Sequence, residues 1–132
     1  MVLKRRRGVG IVETSKGIII VAGKDRVFTL PGGGAEKWES RKRATIREIK
    51  EEISLNVTKI DFLFKSKGKE WEDKKGRLGR NHNKVFLVKT IGKPKIANEI
   101  KYLDYWKPGK KVKMTNGTTF ILEKYCKEFR KI

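Results

Sequence analysis

Cysteine is almost missing from this chain. The single residue, Cys126, excludes an internal disulfide and a cysteine-based zinc cluster, and predicts a reducing, cytoplasmic setting. Glutamine is absent altogether beside 24 Lys, 13 Ile and 11 Glu, a balance that points to a thermophile, although an AT-rich genome would enrich Lys and Ile in the same way. Long apolar runs are also lacking. The longest, such as residues 17–22, are too short to span a bilayer, so no membrane partner is expected. The opening residues, Met1-Val2-Leu3-Lys4-Arg5-Arg6-Arg7, lack the order and length of a signal peptide. His82 is the only histidine, so Ser–His or Cys–His catalysis would hang on one residue in a polar stretch, where solvent exposure is expected. Aromatic residues make up only 9% and hydrophobic residues 37%. Over 132 residues that is still enough for one core, which excludes wholesale disorder and predicts a single domain over residues 1–132.

Negative charge is scarce too: 15 Asp and Glu stand against 34 Lys and Arg, a formal charge of +19 and a pI near 10.2. Such a balance predicts partners that carry negative charge. The few acids are not spread evenly. Residues 27–58 carry six basic and five acidic side chains, whereas residues 1–26 carry seven and two, and residues 59–132 carry twenty-one and eight. Glu36, Glu39, Glu48, Glu51 and Glu52 all fall within one window of seventeen residues. A solvated, salt-bridged helix is the ordinary explanation of such a run. A cation site within a basic surround is the sharper one.

Residues 9–12 and 17–22 are short β-branched runs around a turn, 27–30 is a third strand, and Pro31-Gly32-Gly33-Gly34 reads as a break. Ser40 is placed to cap a helix over 40–53. Residues 57–64, 85–90 and 99–106 read as strands, 65–83 as a long turn or mobile loop, and 107–110 as a turn. Asn116 is the expected cap of a last helix, about 118–130, burying Phe120, Ile121, Tyr125 and Phe129. Together these predict one α/β domain with a mixed sheet.

On a helical wheel Ile46, Ile49 and Ile53 form the stripe that faces a core. Glu48, Glu51 and Glu52 share another face, where Glu48 and Glu52 are a like-charge i,i+4 pair costing a few tenths of a kcal/mol in an isolated helix. Arg47 can pair with Glu51 but cannot neutralise three carboxylates. A hard divalent cation can, since Mg²⁺ and Mn²⁺ take carboxylate oxygens and retain several waters. The glycines ahead of the helix would let a ligand approach main-chain N–H groups.

These residues resemble the Nudix box, GX5EX7REUXEEXGU with U a bulky aliphatic. Gly33, Glu39, Arg47, Glu48, Ile49, Glu51, Glu52 and Leu55 agree, and Leu30-Pro31-Gly32-Gly33 is also typical. Eight of nine specified positions match, over about a sixth of the chain. The departure is Ser54, where the pattern has the glycine that ends the helix. Serine in a left-handed conformation would cost about 1 kcal/mol, or the helix would end differently.

The resemblance implies a Nudix-type α/β/α sandwich and a divalent-metal-dependent pyrophosphohydrolase, with Mg²⁺ as cofactor and Mn²⁺ as a substitute. It would cleave a nucleoside diphosphate linked to another moiety: a noncanonical or oxidised nucleoside triphosphate, a dinucleoside polyphosphate or a nucleotide sugar. Carried over to this chain, Glu48, Glu51 and Glu52 would be metal ligands, and Arg47 would orient them. Glu39 would support the loop or hold metal through water, and Gly33 would shape the loop, with Gly32 and Gly34 beside the phosphates. A glutamate outside the box often serves as general base. Glu99 is the candidate here, with Glu70 and Glu72 as rivals.

Phe28, Trp71 and Tyr102 are candidates to stack on a base, although aromatics beside strands more often belong to a core. Arg41, with Lys42 and Arg43, occupies the first helical turn, where positive charge opposes the helix dipole and could gather phosphates. Two alternatives stand beside the small-nucleotide reading: hydrolysis at the 5′ end of RNA, and a non-catalytic nucleotide- or RNA-binding module. Monomer and homodimer both remain open.

Overall fold

Residues 17–22, Gly-Ile-Ile-Ile-Val-Ala, have no polar face, and a strand of that kind survives only in the middle of a sheet covered on both sides. In the computed structural model, which describes residues 2–130, this segment is strand β2 (Gly17–Ala22) and every residue of it is buried. Ile18 and Ile20 enter one core and Ile19 and Val21 the other, as the two-residue strand period requires. Each core is roofed by one helix. Helix α2 (Asn116–Glu128) closes the first with Ile121, Leu122 and Tyr125. Helix α1 (Arg41–Ile53) closes the second with Ile49 and Ile53. The result is the expected α/β/α sandwich around a mixed sheet.

The sheet has seven strands, with a main path β4-β6-β1-β2-β7 built from Asn56–Lys67, Leu78–Ile91, Val2–Thr14, Gly17–Ala22 and Tyr102–Trp106. Strands β1 and β6 run parallel, in register from Val2 opposite Leu78 to Val12 opposite Val88. Short strands β3 (Gly32–Gly34) and β5 (Trp71–Glu72) pair with β1 and β6. On the α1 side of β1, side chains would collide with the helix. A Cβ on Gly8 would meet the Arg41 carbonyl and the Thr45 hydroxyl, and one on Gly10 would come within 2.9 Å of Ile49. Gly8-Val9-Gly10 thus lies inside the strand and brings α1 down onto the sheet.

Several sequence expectations are corrected. Residues 27–30 make only isolated bridges, Thr29 with Val21 and Phe28 with Met114, while the following triglycine is itself a strand. Glycines can extend here because β1 supplies partners for Gly32, Gly33 and Gly34. The expected loop over 65–83 is mostly paired: β4 runs to Lys67, β5 forms at Trp71, and β6 begins at Leu78, so His82 sits on a strand. Polarity misled because these arms extend past the helices, with no core to demand apolar side chains. Thr115, not Asn116, caps α2, its hydroxyl accepting the Thr118 N–H. Phe120 is exposed, and Phe129, partly exposed, stacks on Phe64 with ring centroids 5.4 Å apart. Ile46 is only half-buried, whereas Ala44 and Thr45 are wholly buried against the sheet.

Candidate active site

Three glycines and one helix face build the site. The Gly32 N–H donates to Glu52 Oε1 at 3.0 Å, with Gly32 at φ 150°, a conformation that L side chains rarely adopt. A Cβ on Gly32 would also strike the Gly8 carbonyl, and one on Gly33 would sit 2.6 Å from Glu48 Cδ. The Gly34 carbonyl accepts from Arg47 Nη2 at 3.1 Å. Lack of a Cβ at Gly32 thus lets the loop lie against β1, and at Gly33 it leaves room for Glu48.

Helix α1 starts at Ser40, whose hydroxyl accepts the Arg43 N–H. It ends at Ser54 with φ 59° and ψ 27°, the Ser54 N–H bonded to the Lys50 carbonyl. Serine takes the left-handed conformation that the box normally gives to glycine, so the helix ends in the same way.

Arg47 is the hub of the loop. Its Nε and Nη2 reach Glu39 Oε2 and Oε1 at 2.8 Å each, and its Nη1 reaches Glu48 Oε1 at 2.8 Å and Glu51 Oε2 at 3.3 Å. Glu39 also accepts the Glu36 N–H. Those bonds, Arg47's first, hold the Glu39 carboxyl down at about 2. The guanidinium is in turn pushed above its usual range, chiefly by Glu39.

Glu52 is in the opposite situation. It is only 7% exposed, and burial pushes its carboxyl up to about 8, against the pull of the Gly32 N–H and with the added repulsion of Glu48 and Glu99. Glu48 is raised as well, by burial first and then by Glu51 and Glu99, despite its bond to Arg47.

Glu99 arrives from a distant part of the chain. The last carbonyls of α1 lack helical partners, and the segment after β6 supplies them. Asn98 Nδ2 donates to the Glu51 carbonyl at 3.1 Å, the Ala97 N–H to Glu52 at 3.0 Å, and the Lys95 N–H to Ile53 at 2.9 Å. This clamp sets Glu99 close enough to raise both Glu48 and Glu52, on the wall of an open cleft of about 470 Å³.

The other sequence candidates lie elsewhere. Glu70 pairs with Arg80 at 3.9 Å, and Glu72 lies near Gly76 at the hairpin tip. Trp71 covers Gly79, Phe28 packs against the α2-side core, and the Tyr102 ring carries the Arg26 guanidinium 4.8 Å from its centroid. Arg41 donates to the His82 carbonyl at 3.3 Å and lines a neighbouring basic cleft that has no glutamate in its lining.

Sequence reasoning missed Arg7, Asn81 and Asn83. They line a cavity of about 250 Å³ between the sheet and the start of α2, with Thr115 and Thr118 across from them. Arg7 Nε, Asn81 Oδ1 and Asn83 Oδ1 are buried there without a hydrogen-bond partner. Burial lowers the Arg7 pKa, with Arg5 adding to the effect, while Glu52 and Glu48 oppose it, so the cavity abuts the carboxylates. The signal was available: extending β1 back by its two-residue period puts Arg7 on the same face as Val9 and Ile11.

By donor chemistry, the side chains that could hold a metal are Glu48, Glu51, Glu52 and Glu99, all oxygen donors suited to a hard cation. Among the described residues no three such side chains are gathered tightly enough to hold one. Arg47 draws Glu48 and Glu51 toward itself. Burial first, and then repulsion, raises Glu48 and Glu52, and a bound cation would offset both, so the residues fit the group in chemistry.

A family model described as NUDIX domain matches residues 4–118. No curated protein matches the chain in sequence. Among solved structures, a nudix family member from Chromobacterium violaceum is similar at 31% identity and a TM-score of 0.79, over 93% of this chain and 77% of that one. A MutT NUDIX hydrolase from Burkholderia pseudomallei shares 22% identity at a TM-score of 0.70, over 91% and 96%. An ADP-ribose pyrophosphatase from Streptococcus suis shares 18% at 0.63, over 86% and 81%. The last two are likenesses of fold.

Proposed function

Because the chain belongs to the Nudix hydrolase family, we propose that it is a divalent-metal-dependent pyrophosphohydrolase of a nucleoside diphosphate linked to another group. The observation that carries this reading is Glu52. A carboxylate that the fold keeps buried beside two others is costly unless something positive joins it. Glu48, Glu51 and Glu52 are the proposed holders of Mg²⁺, with Mn²⁺ as a substitute and Glu99 or Glu39 as further or water-mediated ligands. A bound divalent ion supplies charge neutralisation at the phosphates and a more acidic water.

The chain's own groups do the rest. Arg47 keeps Glu48 and Glu51 aimed through its bonds to the box carboxylates and to the Gly34 carbonyl. Gly33 leaves room for Glu48, and the Gly32 N–H fixes Glu52. Glu99 is the proposed base that takes the proton of the attacking water, from its position on the open cleft. The cavity of Arg7, Asn81 and Asn83 is the proposed seat of the nucleoside, since its unpaired polar atoms are suited to hydrogen-bond a polar ring.

The test is a screen of nucleoside triphosphates, dinucleoside polyphosphates and nucleotide sugars with Mg²⁺ or Mn²⁺, scored for nucleoside monophosphate release. Glu52→Gln is expected to lower kcat by about a thousandfold with the far-UV spectrum unchanged. Turnover unchanged in that variant overturns the metal assignment. For Glu99→Gln a smaller loss, with the acidic limb of the pH–rate profile altered, is expected. A loss no greater than that of Glu70→Gln places the base elsewhere.

A further inference from the structure

The sheet extends beyond the start of α1, and its α1-side face there carries cations. Gly8 and Gly10 face the helix, so Lys4 and Arg6 share that side of β1 by the two-residue period. Their parallel partners on β6 are Arg80 and His82. Next to His82 and Lys84 on β4 stand Lys67 and Lys65. Lys4, Arg6, Arg41, Lys65, Lys67 and His82 line one cleft of about 350 Å³, and none of the six is acidic. The side-chain carboxylate paired nearby is Glu70, 3.9 Å from Arg80.

The crowding is physical. Burial, then Lys67, Lys4, Arg80 and Arg41 hold His82 below its usual pKa. A basic protein can spread its cations over all its surface. Here they converge in a concave place, and convergence of like charge destabilises a fold unless an anion shares the space.

Two further observations identify the kind of anion. Cations on one strand face recur about every 6.6 Å, a ladder comparable with successive phosphates on an extended nucleic-acid strand. Trp38, at 86% exposure the most open large apolar side chain described, stands in the loop between β3 and α1. Arg6 ties that loop to the cleft, its Nη2 donating to the Glu39 carbonyl at 3.0 Å. Phe62, also exposed, lies at the other margin beneath the Lys84 ammonium. A cationic groove with an exposed aromatic side chain at hand is the arrangement that binds single strands by backbone charge and base stacking.

We propose that the cleft of Lys4, Arg6, Arg41, Lys65, Lys67 and His82 binds the phosphodiester backbone of a single-stranded nucleic acid, with Trp38 stacking on a base. The site is separate from the nucleoside cavity, which lies on the α2 side of the sheet. It stands whether or not the carboxylates hydrolyse pyrophosphate.

The experiment measures fluorescence anisotropy of end-labelled twelve-nucleotide single strands, RNA and DNA, against the full chain across a salt series. The test variant is Lys4→Ala/Lys65→Ala/Lys67→Ala, and the control is Lys93→Ala/Lys107→Ala/Lys111→Ala, which removes the same charge elsewhere. The test variant is expected to bind at least tenfold more weakly and to lose about two from the log–log salt slope, at roughly 0.7 per phosphate contact. Trp38→Ala is expected to lose at least about fivefold with the slope unchanged. Circular dichroism verifies that each variant is folded, and Lys65→Ala alone, expected to lose about 0.7 from the slope, serves should the triple variant not fold. Equal losses in test and control variants overturn the site. Equal or tighter binding of inorganic tripolyphosphate or anionic lipid vesicles overturns the class of ligand.

Discussion

Two charged regions lie side by side in this molecule and are built on opposite rules. In the box loop, charge is matched: one guanidinium, Arg47, bonds Glu39, Glu48 and Glu51 as well as the Gly34 carbonyl. In the cleft formed by the ends of β1, β4 and β6, cations face cations. The matched region gains definition, because bidentate bonds hold each carboxylate in place. The unmatched region gains attraction for something outside the chain and gives up a little stability. Glu52 lies between these cases, buried in the matched region yet not bonded to Arg47. Charges bonded to one another hold the loop in shape, whereas charges without a counter-ion keep their capacity to attract a partner.

The strongest way to break the matched region is through its backbone. Gly32→Ala would force a Cβ into the Gly8 carbonyl at φ 150° and is expected to destabilise the protein by about 3 kcal/mol or more, read as a lowered urea midpoint. An unchanged midpoint would mean the loop is not seated as described. Removing the hub comes next. Arg47→Ala leaves the part-buried Glu39 and Glu48 and the exposed Glu51 without their cation and should cost about 2 kcal/mol, with activity falling further than stability explains.

Glu52 gives a pH test with a definite sign. Its folded pKa, about 8, lies above the usual carboxylate value, so the folded state binds the extra proton. The associated stability is full below the ordinary pKa and is lost as pH rises through about 8. With chelator present, Glu52→Gln is expected to melt near wild type at low pH and at least ~2 °C higher at pH ~8.5. Parallel melting curves would refute a raised Glu52. Glu39, held at about 2, follows the reverse sign, its contribution full above the ordinary carboxylate pKa and lost progressively as pH falls toward that value.

The smallest effect sharpens the unmatched region. Lys65→Glu places a carboxylate among the cleft's cations and is expected to stabilise by a few tenths of a kcal/mol at low salt. The gain should vanish in high salt, where the Debye length is short. A gain that survives high salt would come from packing instead.

Much of this was legible in local pattern. The box, the Ser40 cap and the two faces of residues 17–22 follow from spacing alone, because each depends on neighbours within one or two turns. The arms were misread for a physical reason. A strand beyond the core has no apolar alternation to reveal it, and polar residues 65–83 become β-structure only because β1 lies beside β6. Arg7 was passed over for a related reason, as the period that turns Val9 and Ile11 inward continues into the basic run 4–7, where no apolar side chain marks it.

The sequence by itself determined the chemistry available: an excess of cations, carboxylates gathered at helical spacing, and glycines where a loop must pass close. Tertiary structure decided which of those groups meet. Glu99 reaches Glu48 and Glu52 because residues 95–98 satisfy the orphan carbonyls of α1, and cations on three strands converge because a parallel pairing joins residues about 76 positions apart in sequence. Local spacing fixes what a side chain can do, but contacts across that distance depend on sheet register, and register is set by burial of the whole core.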